Sequence, residues 1–287
     1  MRRLCACTLL LAAAACGGRD AAPPVATPSF SASKTRVPLG SPVDFTYAFD
    51  VASDARIEGD YTVFVHFLDA DGQLMWTDDH TPVVPTSQWQ PGQKVQYTRT
   101  VFVPIFPYHG PATVTIGLYN GPSFDDRLPL AGQGSGREYV VGTIDLAPQS
   151  EAVYVVFDEG WHSPELAPDG SAREWHWMTG AGTLTFRNPR KDVTLYLEFD
   201  GQPQVFGDAP QTLVVMSGGH EIARLPVDNS DAKLHRLPIT AAQLGDGEKA
   251  QVRLTVDKTF VPASTPDMGV DPRELGVRVY RANIEVE

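Results

Sequence analysis

One stretch of the sequence, GWHSPELAPDGSAREWHWM at Gly160–Met178, concentrates residue types that could do chemistry. It places three tryptophans, two histidines and three acids close together. Exposed aromatic faces can stack on sugar rings, while neighbouring polar side chains hydrogen-bond to sugar hydroxyls. Trp175 and Trp177 are two residues apart, so in a strand they share one face and His176 points to the other. The stretch therefore predicts either a glycan platform or a tryptophan pair that packs in a core.

Core packing is the favoured interpretation for Trp175 and Trp177, because two buried indoles remove on the order of 300 Å² or more from water. Trp161 lies in the turn-prone segment EGWHSP and is the better candidate for a ligand contact. Glu165 and Arg173 are the polar neighbours expected to bond to hydroxyls. These five residues form the predicted ligand-binding site.

Three other parts of the sequence contain residues that could bind a metal or act as acids or bases. Asp78, Asp79 and His80 lie together in WTDDHTP, but adjacent carboxylates in a strand point apart and a metal site needs further ligands. An exposed loop is expected there. The DADG sequence at Asp69–Gly72 lacks the distal ligands of a calcium loop and predicts a hairpin turn. His66, in YTVFVHFL, is expected to be an outward strand residue.

Signatures of catalysis are missing from the sequence. It contains no G-x-S-x-G or H-E-x-x-H motif and no phosphate-cradling glycine loop. We therefore expect no catalytic residue, no metal and no cofactor. The 35 acids still offer many carboxylate pairs for glycoside hydrolysis, so an extracytoplasmic hydrolase stays an alternative.

The amino-acid composition is that of a globular protein. With 287 residues, of which 42% are hydrophobic and 20% charged, the chain can bury one large or two ordinary cores. The formal net charge of -12 and the absence of a long Lys/Arg run argue against a nucleic-acid partner.

The N-terminus predicts export and anchoring. Arg2 and Arg3 precede an apolar run that is too short to span a bilayer as a mature helix. Its end, LAAAACGG, resembles the lipobox of bacterial lipoproteins, in which the cysteine, here Cys16, is lipidated and becomes the first mature residue. An ordinary secretory signal is the alternative. The resemblance implies a signal peptide at 1–15 and a lipid-anchored protein of the cell envelope that faces out of the cytoplasm, on the outer membrane of an organism with two membranes.

The cysteines and the next segment fit that expectation. All three cysteines lie in the first sixteen residues, so a mature chain that starts at Cys16 has no second thiol for a disulfide. Residues 16–29 are rich in Pro and Ala and predict a flexible tether.

From about Phe30 onward, apolar and polar residues alternate with a period of two, as they do at 113–119, 193–199 and 251–256. Many short strands without intervening helices predict an all-β protein of antiparallel β-sandwiches. A polar kink at Pro148–Glu151 divides the chain. We predict an immunoglobulin-like sandwich at 30–148 and a second sandwich at 151–287, each of ordinary domain size.

The second half resembles the accessory β-sandwich modules of bacterial cell-surface glycosyltransferases and envelope proteins. The resemblance rests on GWHSPE, REWHWM, AGTLTF, LTVDKTFVPAS and DPRELGVRVYRANIEV. It implies a jelly-roll, carbohydrate-binding-like fold and an envelope setting, and it implies no catalytic residue.

Together these patterns predict a non-catalytic, lipid-anchored envelope protein. Its expected ligand is a glycan or a partner protein in surface-polysaccharide handling. A purely structural or protein-interaction module is the first alternative, and exposed sheet edges would favour it.

Overall fold

The computed structural model describes residues 22–122, 126–168, 173–228 and 230–287. The predicted signal peptide, the lipidation site Cys16 and the beginning of the predicted tether lie outside the described residues. Within these ranges the chain forms twenty strands and two short helices, so the protein is all-β, as predicted.

The N-terminal half contains the first ten strands. They are Ala26–Ala32 (β1), Arg36–Pro38 (β2), Pro42–Val51 (β3), Thr62–Leu68 (β4), Leu74–Thr77 (β5), Lys94–Phe102 (β6), Gly110–Asn120 (β7), Asp126–Arg127 (β8), Gly134–Ser135 (β9) and Glu138–Ala147 (β10). One sheet has the order β1-β3-β6, and the other has the order β2-β10-β7-β4-β5 with β8 beside β7 and β9 beside β10. This distribution of strands is that of an immunoglobulin-like sandwich.

Two details of this half differ from the sequence prediction. The first strand begins at Ala26, inside the segment assigned to the tether, because Ala26 pairs with Val51 of β3 and is buried. The β2 and β10 strands pair in parallel, and Ala26 forms a parallel bridge with Leu130, whereas antiparallel pairing was predicted.

A single turn of 3-10 helix at Gln149–Glu151 leads into the C-terminal half. Its strands are Val155–Phe157 (β11), Glu165–Leu166 (β12), Glu174–Trp177 (β13), Ala181–Arg187 (β14), Val193–Asp200 (β15), Gln211–Ser217 (β16), His220–Val227 (β17), Lys233–Ile239 (β18), Lys249–Val256 (β19) and Arg278–Val286 (β20). The two helices, each a single turn, are Pro203–Phe206 (α1) and Ala241–Leu244 (α2).

These strands form two antiparallel sheets packed face to face. We call β11-β14-β19-β16-β17 the front sheet and β12-β13-β20-β15-β18 the back sheet. Alternation along β19 buries every second residue and leaves Lys249, Gln251 and Arg253 exposed on the outer face of the front sheet. The sheet pairing therefore decides which side chains meet on each outer face.

The turns follow the local sequence. Asp69 Oδ1 accepts hydrogen bonds from the amides of Asp71 and Gln73, which confirms the hairpin between β4 and β5. Gly218 and Gly219, both with positive φ, connect β16 to β17. Thr240 caps α2, so short polar motifs place the turns as expected.

Each half has its own hydrophobic core. The first core draws its buried residues from Ala26 to Leu146, with Phe45, Tyr47, Phe49 and Phe67 fully enclosed. The second draws its buried residues from Met178 onward. Independent folding of the two halves stays a prediction.

The halves also touch one another through polar contacts. Arg236 Nη1 of the back sheet donates to Asp44 Oδ2 of β3 at 2.8 Å. Asn283 Nδ2 donates to the carbonyl oxygen of Gly40 at 3.1 Å. These contacts cover one end of the outer face of the back sheet.

Candidate ligand-binding site

Trp161 packs against the second core. Its indole Nε1 donates to the carbonyl oxygen of Thr183 at 2.9 Å, and its ring meets Phe157 edge-on at 4.8 Å. A Cβ placed on Gly182 would lie 2.7 Å from the Trp161 ring, so glycine is needed there for the close approach. Trp161 is half-buried, and these contacts pack its ring against the second core, while a ligand contact at Trp161 stays a prediction.

Trp175 and Trp177 lie on the outer face of the back sheet, and His176 points to the other side, as the spacing predicted. Trp177 is buried against Phe260, with ring centroids 6.0 Å apart. His176 stacks on Phe157 at 4.1 Å. The tryptophan pair therefore packs in a small cluster outside the main core and beneath the segment that contains Phe260.

The rest of this cluster comes from distant parts of the chain. Leu275 is buried with Trp177, and α1 together with Met268 packs against them. The Trp175 ring lies 5.9 Å from Tyr280, and its buried Nε1 has no hydrogen-bond partner among the described residues. A covering segment thus leaves Trp177 little surface for a sugar.

Glu165 and Arg173 lie near the tryptophans, but both have partners. Arg273 Nη2 lies 2.7 Å from Glu165 Oε1 and 2.6 Å from Asp271. Hydrogen bonds from Arg273 lower the pKa of Asp271 to about 2. Arg173 donates to Glu198 at 3.0 Å. The structure brings Glu165, Arg173, Trp175 and Trp177 together on the back sheet and packs Trp161 against the second core. Both charged residues are engaged in ion pairs.

A buried ion pair lies in the middle of the outer face of the back sheet. Asp200 is 1% exposed and accepts hydrogen bonds from Arg278 Nε at 2.9 Å and Nη2 at 2.7 Å. The hydroxyl of Tyr280 donates to the same carboxylate at 2.8 Å. Burial and then this bond to Asp200 raise the pKa of Tyr280. Such a satisfied network organises the fold.

The residues around His80 are a correction to the sequence prediction, because His80 and Asp78 belong to a largely buried network, while Asp79 is exposed as predicted. His80 is 7% exposed, and its Nε2 lies 2.8 Å from the Tyr97 hydroxyl. Asp78 accepts a bond from Tyr47 at 2.8 Å and pairs with Arg99 at 3.0 Å. The strand pairing of 78–80 with β4 draws these polar groups inward, where each finds a partner.

His66 stands on the outer face of its sheet, as predicted, with its Nδ1 3.1 Å from Glu138 Oε1. Among the described residues, no group of three or more His, Cys, Asp or Glu side chains could hold a metal ion. Nor does any helix within those ranges have the length and apolar character to cross a bilayer.

Tyr154, which was not among the predicted site residues, is a highly exposed aromatic residue of the C-terminal half. Tyr154 is 78% exposed and lies immediately before the edge strand β11. The alternation in EAVYVVF was the available signal, because it places Val153, Val155 and Phe157 toward the core and leaves Tyr154 and Val156 outside.

Tyr154 separates two grooves. The edge groove, of about 730 Å³, lies beside the junction with the N-terminal half. Its lining includes Gln149, Tyr154, His176, Tyr280, Arg281 and Asn283. The front groove, of about 700 Å³, runs onto the front sheet. Its lining includes Tyr154, Val156, Thr185, Arg187, Asn188 and Lys249.

Comparison with known proteins gives only distant likenesses. The chain matches no protein-family model and no curated protein sequence. It is similar to the CBM51-2 and INT domains of Clostridium perfringens ZmpB, with 13% identity, a TM-score of 0.25, and coverage of 63% of this chain and 38% of that chain. It is also similar to Bacteroides uniformis beta-glucuronidase, with 11% identity, a TM-score of 0.31, and coverage of 91% and 30%.

A third solved structure combines the M60 catalytic domain of ZmpB with its CBM51-1 and CBM51-2 domains. Identity is 9%, the TM-score is 0.25, and the match covers 86% of this chain and 34% of that chain. The chain therefore spans about a third of the length of these structures. A likeness at this level carries no argument about the function of this chain.

Proposed function

We propose that this chain is a non-catalytic glycan-binding protein and that Tyr154 is the aromatic platform of its binding site. One observation carries the proposal: the exposed ring of Tyr154 stands between two grooves lined by neutral and charged polar groups. A large aromatic ring usually buries its faces, so one left in water beside a groove is available to a ligand.

The groove linings supply the second requirement of sugar recognition. Gln149 and Asn283 of the edge groove are neutral hydrogen-bonding residues near Tyr154. Thr185 and Asn188 of the front groove are buried and already bonded within the protein. Hydroxyl groups need such partners, since an apolar surface alone does not orient a sugar. The combination of ring and polar groups supports a glycan rather than an apolar ligand.

The test compares Tyr154→Ala with its matched control, Tyr154→Phe, against a panel of neutral and acidic polysaccharides. We expect Tyr154→Ala to raise the dissociation constant about tenfold or more, because it removes the stacking ring. Tyr154→Phe keeps the ring and should retain most of the affinity.

A second control is Val83→Ala, which shortens another highly exposed apolar side chain in the other half. Melting temperature should stay unchanged in all three variants. Equal binding by Tyr154→Ala and the parent would contradict the platform, and a parent that binds no polysaccharide of the panel would overturn the proposed function.

A protein-interaction module is the second candidate, and the open edge of the front sheet favours it. β11 pairs with β14 on one side, and Val156 in its middle is 44% exposed. An extended peptide could add to such an edge. The amide of Val155 faces the open edge, because Asp158 and therefore Val156 bond to β14. Val155→Pro removes that amide, so it should abolish capture of a partner protein while polysaccharide binding survives.

Anchoring is a separate proposal, based on the lipobox-like sequence that ends at Cys16. We propose that Cys16 carries the lipid and holds the protein in the cell envelope, facing out of the cytoplasm. Cys16→Ser should move the protein from the membrane fraction to the soluble fraction, since acyl chains would no longer be attached. Unchanged membrane pelleting of Cys16→Ser would contradict this.

A further inference from the structure

We propose that the ligand is an anionic glycan, bound along the outer face of the front sheet by a row of three cations, Arg187, Lys249 and Arg253. This inference rests on the proposed function and names the class of glycan. It selects the front groove rather than the edge groove as the main path of the polymer.

The register between β14 and β19 places the three cations in a row. Arg187 of β14 lies directly opposite Lys249 of β19, and both side chains are exposed. Arg253 lies four residues along β19, so it points to the same outer face. The chain segments that carry these residues are far apart in sequence, and only the pairing of β14 with β19 brings the charges together.

The row connects Tyr154 to a third groove. Tyr154, Arg187 and Lys249 all line the front groove. Lys249 also lines the third groove, of about 660 Å³, together with Gln251 and Arg253. The exposed ring and the three cations thus follow one continuous path across the sheet.

This arrangement has an electrostatic cost that folding alone does not explain. Like charges directly opposite one another on antiparallel strands destabilise the pair. Within the described part of the chain, Arg187, Lys249 and Arg253 each lack an ion pair with a carboxylate within 4.0 Å. Three unpaired cations on one path are a place for an external anion.

Two acids lie near the row, and each has a partner within the protein. Asp158 accepts a hydrogen bond from Thr185 at 3.1 Å. Glu151 lines the front groove and is paired there with Arg36, whose Nη2 lies 2.8 Å from Glu151 Oε1. Neither acid forms an ion pair with Arg187, Lys249 or Arg253, so an anionic ligand could pair with these cations, although the whole protein carries a formal charge of -12.

Neutral polar groups lie between the cations, and their positions indicate which class of anionic ligand would fit. Gln251 separates Lys249 from Arg253 along β19, and Thr185 lies opposite Gln251. A polymer with carboxylate or sulfate groups spaced between hydroxyl-bearing rings would match this alternation of charged and neutral polar groups. The Tyr154 ring then gives the stacking surface that a simple polyanion would not use.

The experiment uses paired probes that share a backbone and differ in charge: polygalacturonate and its methyl ester, hyaluronan and its carboxyl-reduced form, and dextran sulfate and dextran. We expect the full chain to bind the charged member of at least one pair about tenfold or more tightly than the neutral member. That preference should weaken as salt is added, because ions screen exposed charges.

The variant Arg187→Gln/Lys249→Gln/Arg253→Gln should lose the preference. Its control, Arg56→Gln/Lys94→Gln/Lys233→Gln, makes the same change in net charge with three exposed cations from other surfaces and should keep it. Tyr154→Ala should also weaken binding of the charged probe, and duplex DNA should bind poorly in comparison.

The other outcomes separate the two proposals. Equal affinity for charged and neutral members, lost in Tyr154→Ala, would overturn the anionic preference and leave glycan binding intact. Binding of duplex DNA as tightly as the acidic glycans, unaffected by Tyr154→Ala, would show charge attraction alone and overturn the inference. Binding to no member of any pair would overturn both proposals.

Discussion

The two outer faces of the C-terminal sandwich differ in whether their charged side chains have partners within the protein. On the back sheet, Asp200 is buried beneath Arg278 and Tyr280, and the tryptophan pair is packed under a covering segment. On the front sheet, Arg187 and Lys249 face one another in the open without a carboxylate partner among the described residues.

The difference separates structural polar groups from groups available to a ligand. A buried charge requires a partner within the protein, because its desolvation is expensive. An exposed cation has no such requirement and can exchange water for a ligand anion. The aromatic residues follow the same division, with Trp177 packed and Tyr154 exposed.

The substitution with the largest expected effect removes the carboxylate that pairs with Arg278 on the back sheet. Asp200→Ala leaves the guanidinium of Arg278 largely buried without its carboxylate, so we expect it to lower the free energy of unfolding by about 3–5 kcal/mol. Urea unfolding at neutral pH measures this. The control is Asp228→Ala, which removes an exposed partner of Lys233 and should change stability little. Equal effects of the two substitutions would contradict the distinction between paired interior and open surface.

A smaller effect on stability is expected from His80, a buried polar residue of the N-terminal half. Burial is the main cause that lowers the pKa of His80 below its ordinary value in the folded protein. The unfolded chain therefore binds the proton first as pH falls. The contribution of His80 to stability should be complete above the ordinary histidine pKa of about 6.5 and should decrease with acidification below it.

Urea unfolding between pH 8 and pH 5 measures this dependence. His80→Gln should flatten the dependence of stability on pH, whatever it does to stability at pH 8. Burial also lowers the pKa of His235, so part of the slope should remain in the variant. An unchanged slope in His80→Gln would show that His80 is not the titrating group.

The smallest expected effect concerns the cation row. Arg187→Gln removes one of two opposed like charges, so stability should stay within about 0.5 kcal/mol of the parent, with any gain largest at low salt. Thermal unfolding at low and high ionic strength measures it. A clear loss of stability would indicate that Arg187 has a structural role, and it would weaken the case for a ligand site.

The sequence predicted the fold better than the site. Period-two alternation identifies strands such as β7, β15 and β19, since a half-buried strand must alternate. The spacing of Trp175 and Trp177 likewise predicted their shared face. Burial of Trp161 depended on the approach of Gly182, which comes from another strand and leaves no local signal.

The charged row was also beyond prediction from sequence. Arg187 and Lys249 become neighbours only through the register of β14 with β19, and a shift by one residue would point one of them into the core. Exposure of Tyr154 was partly predictable, because the alternation around it was visible, although the groove beside it depends on both sheets.

The most direct test of the account is to map the ligand contact by hydrogen–deuterium exchange of the full chain, with and without the polysaccharide that it binds most tightly. We expect slower exchange at 150–156, 183–189 and 249–253, where Tyr154 and the cation row lie on the front sheet. Slower exchange confined to 161–168, 173–177 and 278–283 would place the ligand on the tryptophan side and contradict the account.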